Sequence, residues 1–196
     1  MGERPSIAPD APGLEAPKMS GALVLAHRGV LVEICGEARF DRALARLPAD
    51  VRREYAEISP VSWPRVEVAE AVVGAAAAEL GRDLASLHEE ISRASVERTL
   101  TTLWRLLLRF TSDEALVART PRIYARALDR GELVPRIVAP GRAEIRVVGW
   151  PDIPEFSMRG VGIAIESVLR LSHRHDVRVI SERTDEGPRF LATWRV

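Results

Sequence analysis

The sequence predicts an α+β fold: a helical N-terminal half packed on a small antiparallel sheet of β-β-α-β-β order. Three observations predict it. Apolar residues before Gly131 recur mostly at helical spacing. After Gly131 the period shortens to two, in the paired runs "ELVPRIVA" with "RAEIRVVGW" and "DVRVISER" with "PRFLATWRV". Between the pairs, "FSMRGVGIAIESVLRLS" returns to a helical period, with Met158, Val161, Ile165, Val168 and Leu169 on one side.

Taken in order, residues 1–18 hold four prolines and no apolar face, and read as a disordered tail before a single domain over 19–196. "SGALVLAHRGVLVEICG" is a strand or a helix ending near Gly36. "EARFDRALARLP" is a short helix with Phe40, Ala43, Leu44 and Leu47 on one face, stopped by Pro48. "ADVRREYAEI" is another. In "SPVSWPRVEVAEAVVGAAAAELG", Pro64 suits a first helical turn and Ser62 a cap, and Gly81 ends the helix. The small side chains of "VVGAAAA" favour tight packing inside the subunit, with a dimer face as the alternative.

"DLASLHEEISRASVERTLTTLWRLLLRF" reads as the longest helix, with Ser86 and Glu89 as a capping box. Val96, Leu100, Leu103, Leu107 and Phe110 form its apolar stripe, Trp104 lies alongside, and its expected place is the centre of the domain. "SDEALVARTPRIYARALDRG" opens on a Ser112 cap, restarts at Pro121 and ends at Gly131. Gly160 and Gly162 each weaken the last helix by about 1 kcal/mol relative to alanine. Close packing on the sheet would explain them.

Composition narrows the function. The chain has 196 residues, 46% apolar and 29% charged, enough to bury a core without disulfides or metal. Basic and acidic residues balance at 28 each, which removes the overall positive field that supports nucleic-acid binding. No apolar run spans a membrane and no leader pattern opens the chain, so the expected place is the cytoplasm. "MGERPS" fits a myristoylation consensus at Gly2 and Ser6, but Glu3 and Pro5 are poor company for it. The single cysteine, Cys35, sits among apolar residues and reads as a buried thiol.

Motifs that carry chemistry are scarce. His173 and His175 flank Arg174 and precede Asp176 where a helix gives way to a strand. Zinc needs three or four ligands, so this His-x-His reads as a solvated polar turn, and no metal is expected. Asp152 and Glu155 in "WPDIPEF" have no visible partner and read as solvated. No triad spacing, phosphate loop or HExxH pair appears. Trp63, Trp104, Tyr124 and Trp150 lie at element boundaries or on apolar faces, where aromatics anchor cores and ligand pockets alike. If a cavity exists, Trp104, Leu107 and Tyr124 are the residues expected to line it.

"RALARLPADVRREYAEISPVSWPRVEVAEAV", "SRASVERTLTTLWRLLLRF" and "RTPRIYARALDRG" resemble an uncharacterised, mainly myxobacterial protein family of similar length, over residues 20–196. That family is distantly similar in fold to the haem-dependent nitric-oxide sensor domains, the 4-vinyl-reductase-like domains and the TRAPP vesicle-tethering subunits. The resemblance implies a helical half and a small antiparallel sheet around an apolar ligand cavity. Two departures limit it. The last hairpin lacks the cysteines that 4-vinyl-reductase-like domains often carry there. Haem sensors need a histidine on a helix facing the cavity, and His88 stands beside Glu89 and Glu90, where a solvated position is expected.

These readings lead to a non-enzymatic, cytoplasmic sensory or interaction domain without a cofactor, binding a small apolar ligand or a protein partner. The alternative is a structural dimerisation or scaffold module with a filled core. A homodimer suits either; nucleic acid and membrane are not expected partners. A cavity of several hundred Å3 would favour the ligand binder, a filled interior the scaffold, and a cleft of convergent titratable groups an enzyme.

Overall fold

The computed structural model of the protein describes residues 15–99 and 112–195. Its elements are α1 (Gly21–Cys35), α2 (Glu37–Ala45), α3 (Ala49–Ala56), α4 (Val66–Leu80), α5 (Leu84–Thr99), α6 (Asp113–Ala125), β1 (Glu132–Ala139), β2 (Arg142–Val148), α7 (Glu155–Leu171), β3 (His175–Thr184) and β4 (Gly187–Arg195). The class and the β-β-α-β-β order are those the sequence predicts. The sheet is antiparallel throughout, in the order β1-β2-β4-β3.

α7 is the middle layer, with α5 on one side and β3 and β4 on the other. That position explains why its buried residues exceed one stripe: Phe156, Met158, Val161, Ile163, Ser167 and Leu169 are all covered. The inner face of the sheet alternates as a half-buried sheet must, with Leu133, Ala143, Ile145, Val147, Phe190, Ala192 and Trp194 buried. On the outer face Arg136, Glu144, Arg189 and Glu182 form a ladder of ion pairs across all four strands.

The N-terminal ambiguity resolves to helix. Val24, His27, Val30, Leu31 and Cys35 are buried at three- and four-residue spacing, and Gly36 closes α1 at φ 75°. α1 starts hard against the turn after α3. A Cβ on Gly21 would lie 2.0 Å from the Ser59 carbonyl oxygen, and the Gly21 amide donates to the Ser62 carbonyl at 2.8 Å. Residues before α1 are also engaged: the Pro17 carbonyl accepts from the Val66 amide, and the Lys18 amide donates to Asp129 Oδ1.

Three helix boundaries differ from the expectations. α4 begins at Val66, so Pro64 and Ser62 precede it. Ser62 instead locks the turn, its hydroxyl accepting from the Ser59 amide and donating to the Ser59 carbonyl. α5 is capped by Asp83, not by a Ser86–Glu89 box: Asp83 Oδ1 accepts from both the Ser86 amide and the Ser86 hydroxyl. α6 has the expected Ser112 cap, accepting from the Ala115 amide, but runs through Pro121 and stops at Ala125, well before Gly131. Pro121 has no N–H for the Val117 carbonyl four residues back. The Thr120 hydroxyl donates to that carbonyl at 2.8 Å, so the helix continues without an orphaned acceptor.

The small side chains of α4 face inward. Ala69, Val72, Val73, Ala76 and Ala77 are buried within the subunit, against α1, α2, α3 and α5. The two glycines of α7 do face its neighbours: a Cβ on Gly160 would stand 3.6 Å from the His88 ring and one on Gly162 3.5 Å from the Phe190 ring. Both are ordinary contact distances. Gly162→Ala is therefore expected to stabilise the protein by up to about 1 kcal/mol through helix propensity. Urea denaturation checks this, and a loss of stability would mean that the helix–sheet gap cannot take a methyl group. Gly187 differs, because its φ of 136° and a virtual Cβ only 2.1 Å from the Val147 carbonyl require glycine in the β3–β4 turn.

Candidate functional site

A cavity of about 170 Å3 lies where the helical half meets the sheet. α1 contributes Leu23 and His27, and α5 contributes His88, Ser92 and Val96. α6 adds Leu116, Val117, Thr120, Ile123 and Tyr124. α7 supplies one long wall, including Phe156, Gly160, Val161 and Ala164, and the sheet closes the far side with Leu133, Ala143, Ile145, Ala192 and Trp194. The lining is almost wholly apolar, and none of its described residues carries a full charge.

Thr120 and Ser157 are polar lining residues on α6 and α7, and a cluster of three more, His27, His88 and Ser92, comes from α1 and α5. His27 is 6% exposed and His88 2%. The His88 ring stacks on Phe156 with centroids 3.8 Å apart, and His27 meets it edge-on at 6.3 Å. Burial pushes the His27 pKa down to about 4. Burial, then the charges of His27 and Arg159, pushes His88 down to about 3. Both rings are thus neutral near pH 7, each with one N–H donor and one nitrogen acceptor. The buried His27 Nδ1 and Ser92 Oγ have no hydrogen-bond partner among the described residues. A buried polar group left unsatisfied costs about 1–3 kcal/mol, so two on residues that line one cavity call for an explanation.

The burial of His88 corrects the expectation of a solvated histidine. Glu89 and Glu90 do face solvent. His88 belongs to the opposite face of α5, with Leu87, Ile91, Ser92 and Ser95. That spacing was visible in the sequence; the neighbouring charges outweighed it. His27 was missed for a different reason, since a stretch undecided between strand and helix does not say which side a residue occupies.

Of the residues expected to line a cavity, Tyr124 does so. Its hydroxyl is committed elsewhere, donating to the Arg130 carbonyl at 2.7 Å, and burial raises its pKa, aided by the Asp129 charge. Trp104 and Leu107 lie outside the described residues, as does the apolar stripe beyond Val96. Trp150 is buried in the core and Trp63 is exposed.

One end of the cavity wall is held by an ion pair between buried Arg174 and half-buried Asp113. Arg174 Nε and Nη2 donate to Asp113 Oδ1 at 3.0 and 2.7 Å, Trp194 Nε1 donates to Asp113 Oδ2 at 3.1 Å, and Arg174 Nη1 donates to the Ser172 carbonyl. These bonds clamp the first turn of α6 to the sheet. Arg174 is thus buried, although the turn around it was expected to be solvated throughout; its neighbours His173 and His175 are exposed. Positive φ at His173 (62°) and Asp176 (50°) shapes this turn and directs Arg174 inward. Among the described residues no cluster of three metal-ligating side chains occurs, and no helix is long and apolar enough to cross a membrane.

This arrangement, a helical half and a four-stranded sheet, is similar in fold to H-NOX domains. The chain superposes on a mutant H-NOX protein from K. algicida, crystallised as the unliganded Fe(II) form, with a TM-score of 0.67, 11% identity and coverage of 91% of this chain and 97% of that one. A mutant of T. tengcongensis H-NOX matches with a TM-score of 0.65 at 14% identity, covering 91% and 98%. An oxygen-binding H-NOX domain related to soluble guanylate cyclases matches with a TM-score of 0.64 at 13% identity, covering 91% and 96%. No protein-family model and no curated protein matches the sequence. At these identities the likeness is one of fold.

Another matching structure concerns haem distortion in the H-NOX family, so the cavity must be tested for that group. Its two histidines are donors of a suitable kind. Space and charge are not suitable. About 170 Å3 is below the roughly 300–1,000 Å3 of pockets that enclose drug-sized ligands, and a porphyrin is at least as large as those. No described lining residue offers a cation to the propionates, and α6, across the cavity, carries no histidine. The described residues do not fit a haem.

Proposed function

We propose that the protein is a non-enzymatic sensory domain whose cavity takes a small apolar ligand. The observation that carries this reading is the cavity itself, bounded by both halves of the fold and lined by apolar side chains. A dry apolar cavity of about 150 Å3 takes benzene or xenon in other proteins, so this one has room for a ligand of that class. It is smaller than the sequence reading called for, which restricts the ligand's size. A change in occupancy would be felt by α6, whose Ile123 lines the cavity and is also half exposed at the surface.

Catalysis finds little support. The Ser92 hydroxyl lies one helical turn from His88 but makes no hydrogen bond, so no nucleophile–base pair is formed. Among the described lining residues no carboxylate orients either imidazole.

Thermal melting in benzene tests the reading. Saturating benzene is expected to raise the midpoint of the wild-type protein, because a ligand that binds only the folded state stabilises it. Ala164→Phe, which places a ring in the cavity, should melt no lower than wild type and lose the response. An unchanged midpoint at every benzene concentration would support the filled-core scaffold instead.

A further inference from the structure

The cavity is not uniformly apolar: besides Thr120 and Ser157 on α6 and α7, it has one cluster of polar side chains. His27, His88 and Ser92 meet on one wall, formed by α1 and α5. The remaining described lining, on α6, α7 and the sheet, is largely hydrocarbon. Each of the three polar side chains is more than nine-tenths buried. Two of them hold atoms without a hydrogen-bond partner among the described residues. Filling the cavity with hydrocarbon alone would leave those atoms unsatisfied, at the cost noted above.

We infer that the ligand is an apolar body of about six carbons carrying one uncharged hydrogen-bonding head, a hydroxyl or a carbonyl, which docks against His27, His88 and Ser92. This inference rests on the ligand-binding reading and names its ligand class. The head is uncharged for two reasons. No described lining residue carries a charge that would compensate an ionised group, and an isolated charge in such a site is strongly penalised. Both imidazoles are held neutral by burial, so neither offers a cation to a carboxylate. A neutral imidazole and a serine hydroxyl can each donate and accept, so the cluster suits a hydroxyl or a carbonyl equally. Phe156, stacked on His88, fixes the ring that receives the head, and Gly160 leaves room beside it.

Toluene, phenol and benzoate are nearly matched in shape and differ in their head, and titration calorimetry at pH 7.5 compares them. A purely apolar cavity prefers toluene, because the phenol hydroxyl is better solvated in water. The inference expects the reverse: phenol binds about tenfold tighter than toluene, and benzoate does not bind. In the His27→Leu/Ser92→Ala double variant the order returns to toluene over phenol. Ser92→Ala alone should narrow the preference, and provides the same test if the double variant does not fold. Toluene tighter than phenol in the wild type would overturn the inference and leave the ligand-binding reading standing, as would benzoate binding tightest. Binding of none of the three would remove both.

Discussion

Asp113→Ala is expected to cost about 3 kcal/mol in urea denaturation, the low end of the loss when one member of a buried ion pair is removed, because the Asp113 side chain keeps 18% of its surface exposed. The Asp113 carboxylate takes two bonds from Arg174 and one from Trp194, and the Arg174 side chain is only 7% exposed. Truncation removes the Asp113 carboxylate from beside a buried guanidinium. The companion variant Asp113→Ala/Arg174→Met removes both charges and should recover most of the loss, since replacing a buried pair with hydrocarbon is often neutral or better. The two variants also separate packing from charge: if the double variant is as unstable as the single one, the clamp acts through shape. Ligand response should weaken in Asp113→Ala as well, because the same bonds hold α6 against the sheet that closes the cavity.

Stability is expected to fall steeply as the pH drops from about 6.5 towards 4. The sign follows from the two buried histidines, whose folded pKa values of about 4 and 3 lie below the ordinary 6.5. Above pH 6.5 they are neutral in both folded and unfolded chains, and contribute no slope. Below it the unfolded chain takes up protons that the folded protein refuses, so unfolding becomes easier. Each histidine contributes about 1.4 kcal/mol per pH unit until its folded pKa is reached. Between pH 6 and 5, where carboxylates of ordinary pKa stay ionised, the two together should give a slope of about 2–3 kcal/mol per unit in urea-derived stability. His27→Leu and His88→Leu should each remove about half of it. A flat profile over that interval would mean that water reaches the rings and that the cavity wall is not dry.

Most of the fold was legible in the sequence because its signals are local. The alternation in "RAEIRVVGW" and "PRFLATWRV", the turn residues between paired runs, and the Ser112 cap each act over a few residues. The helix boundaries that went astray did so where two local signals competed. Pro121 reads as a restart until the Thr120 hydroxyl is seen to satisfy the Val117 carbonyl. Ser62 reads as a cap until it is seen to close the turn against which α1 begins. The candidate site was less legible. Tyr124 could be picked from an aromatic on an apolar face, whereas His88 was assigned by its neighbours in sequence and His27 was not assigned at all.

By itself the sequence determined the class of fold and the β-β-α-β-β order of its second half. Periodicity, turn chemistry and composition carry that information residue by residue. Only the tertiary structure decided that α1 and α5 bring two histidines to one wall and that Arg174 turns inward to Asp113. It also decided that the interior keeps a cavity of about 170 Å3. The physical reason is that a polar side chain's protonation and its unmet hydrogen bonds depend on what packs over it. That covering comes from elements distant in the chain, about which local pattern is silent.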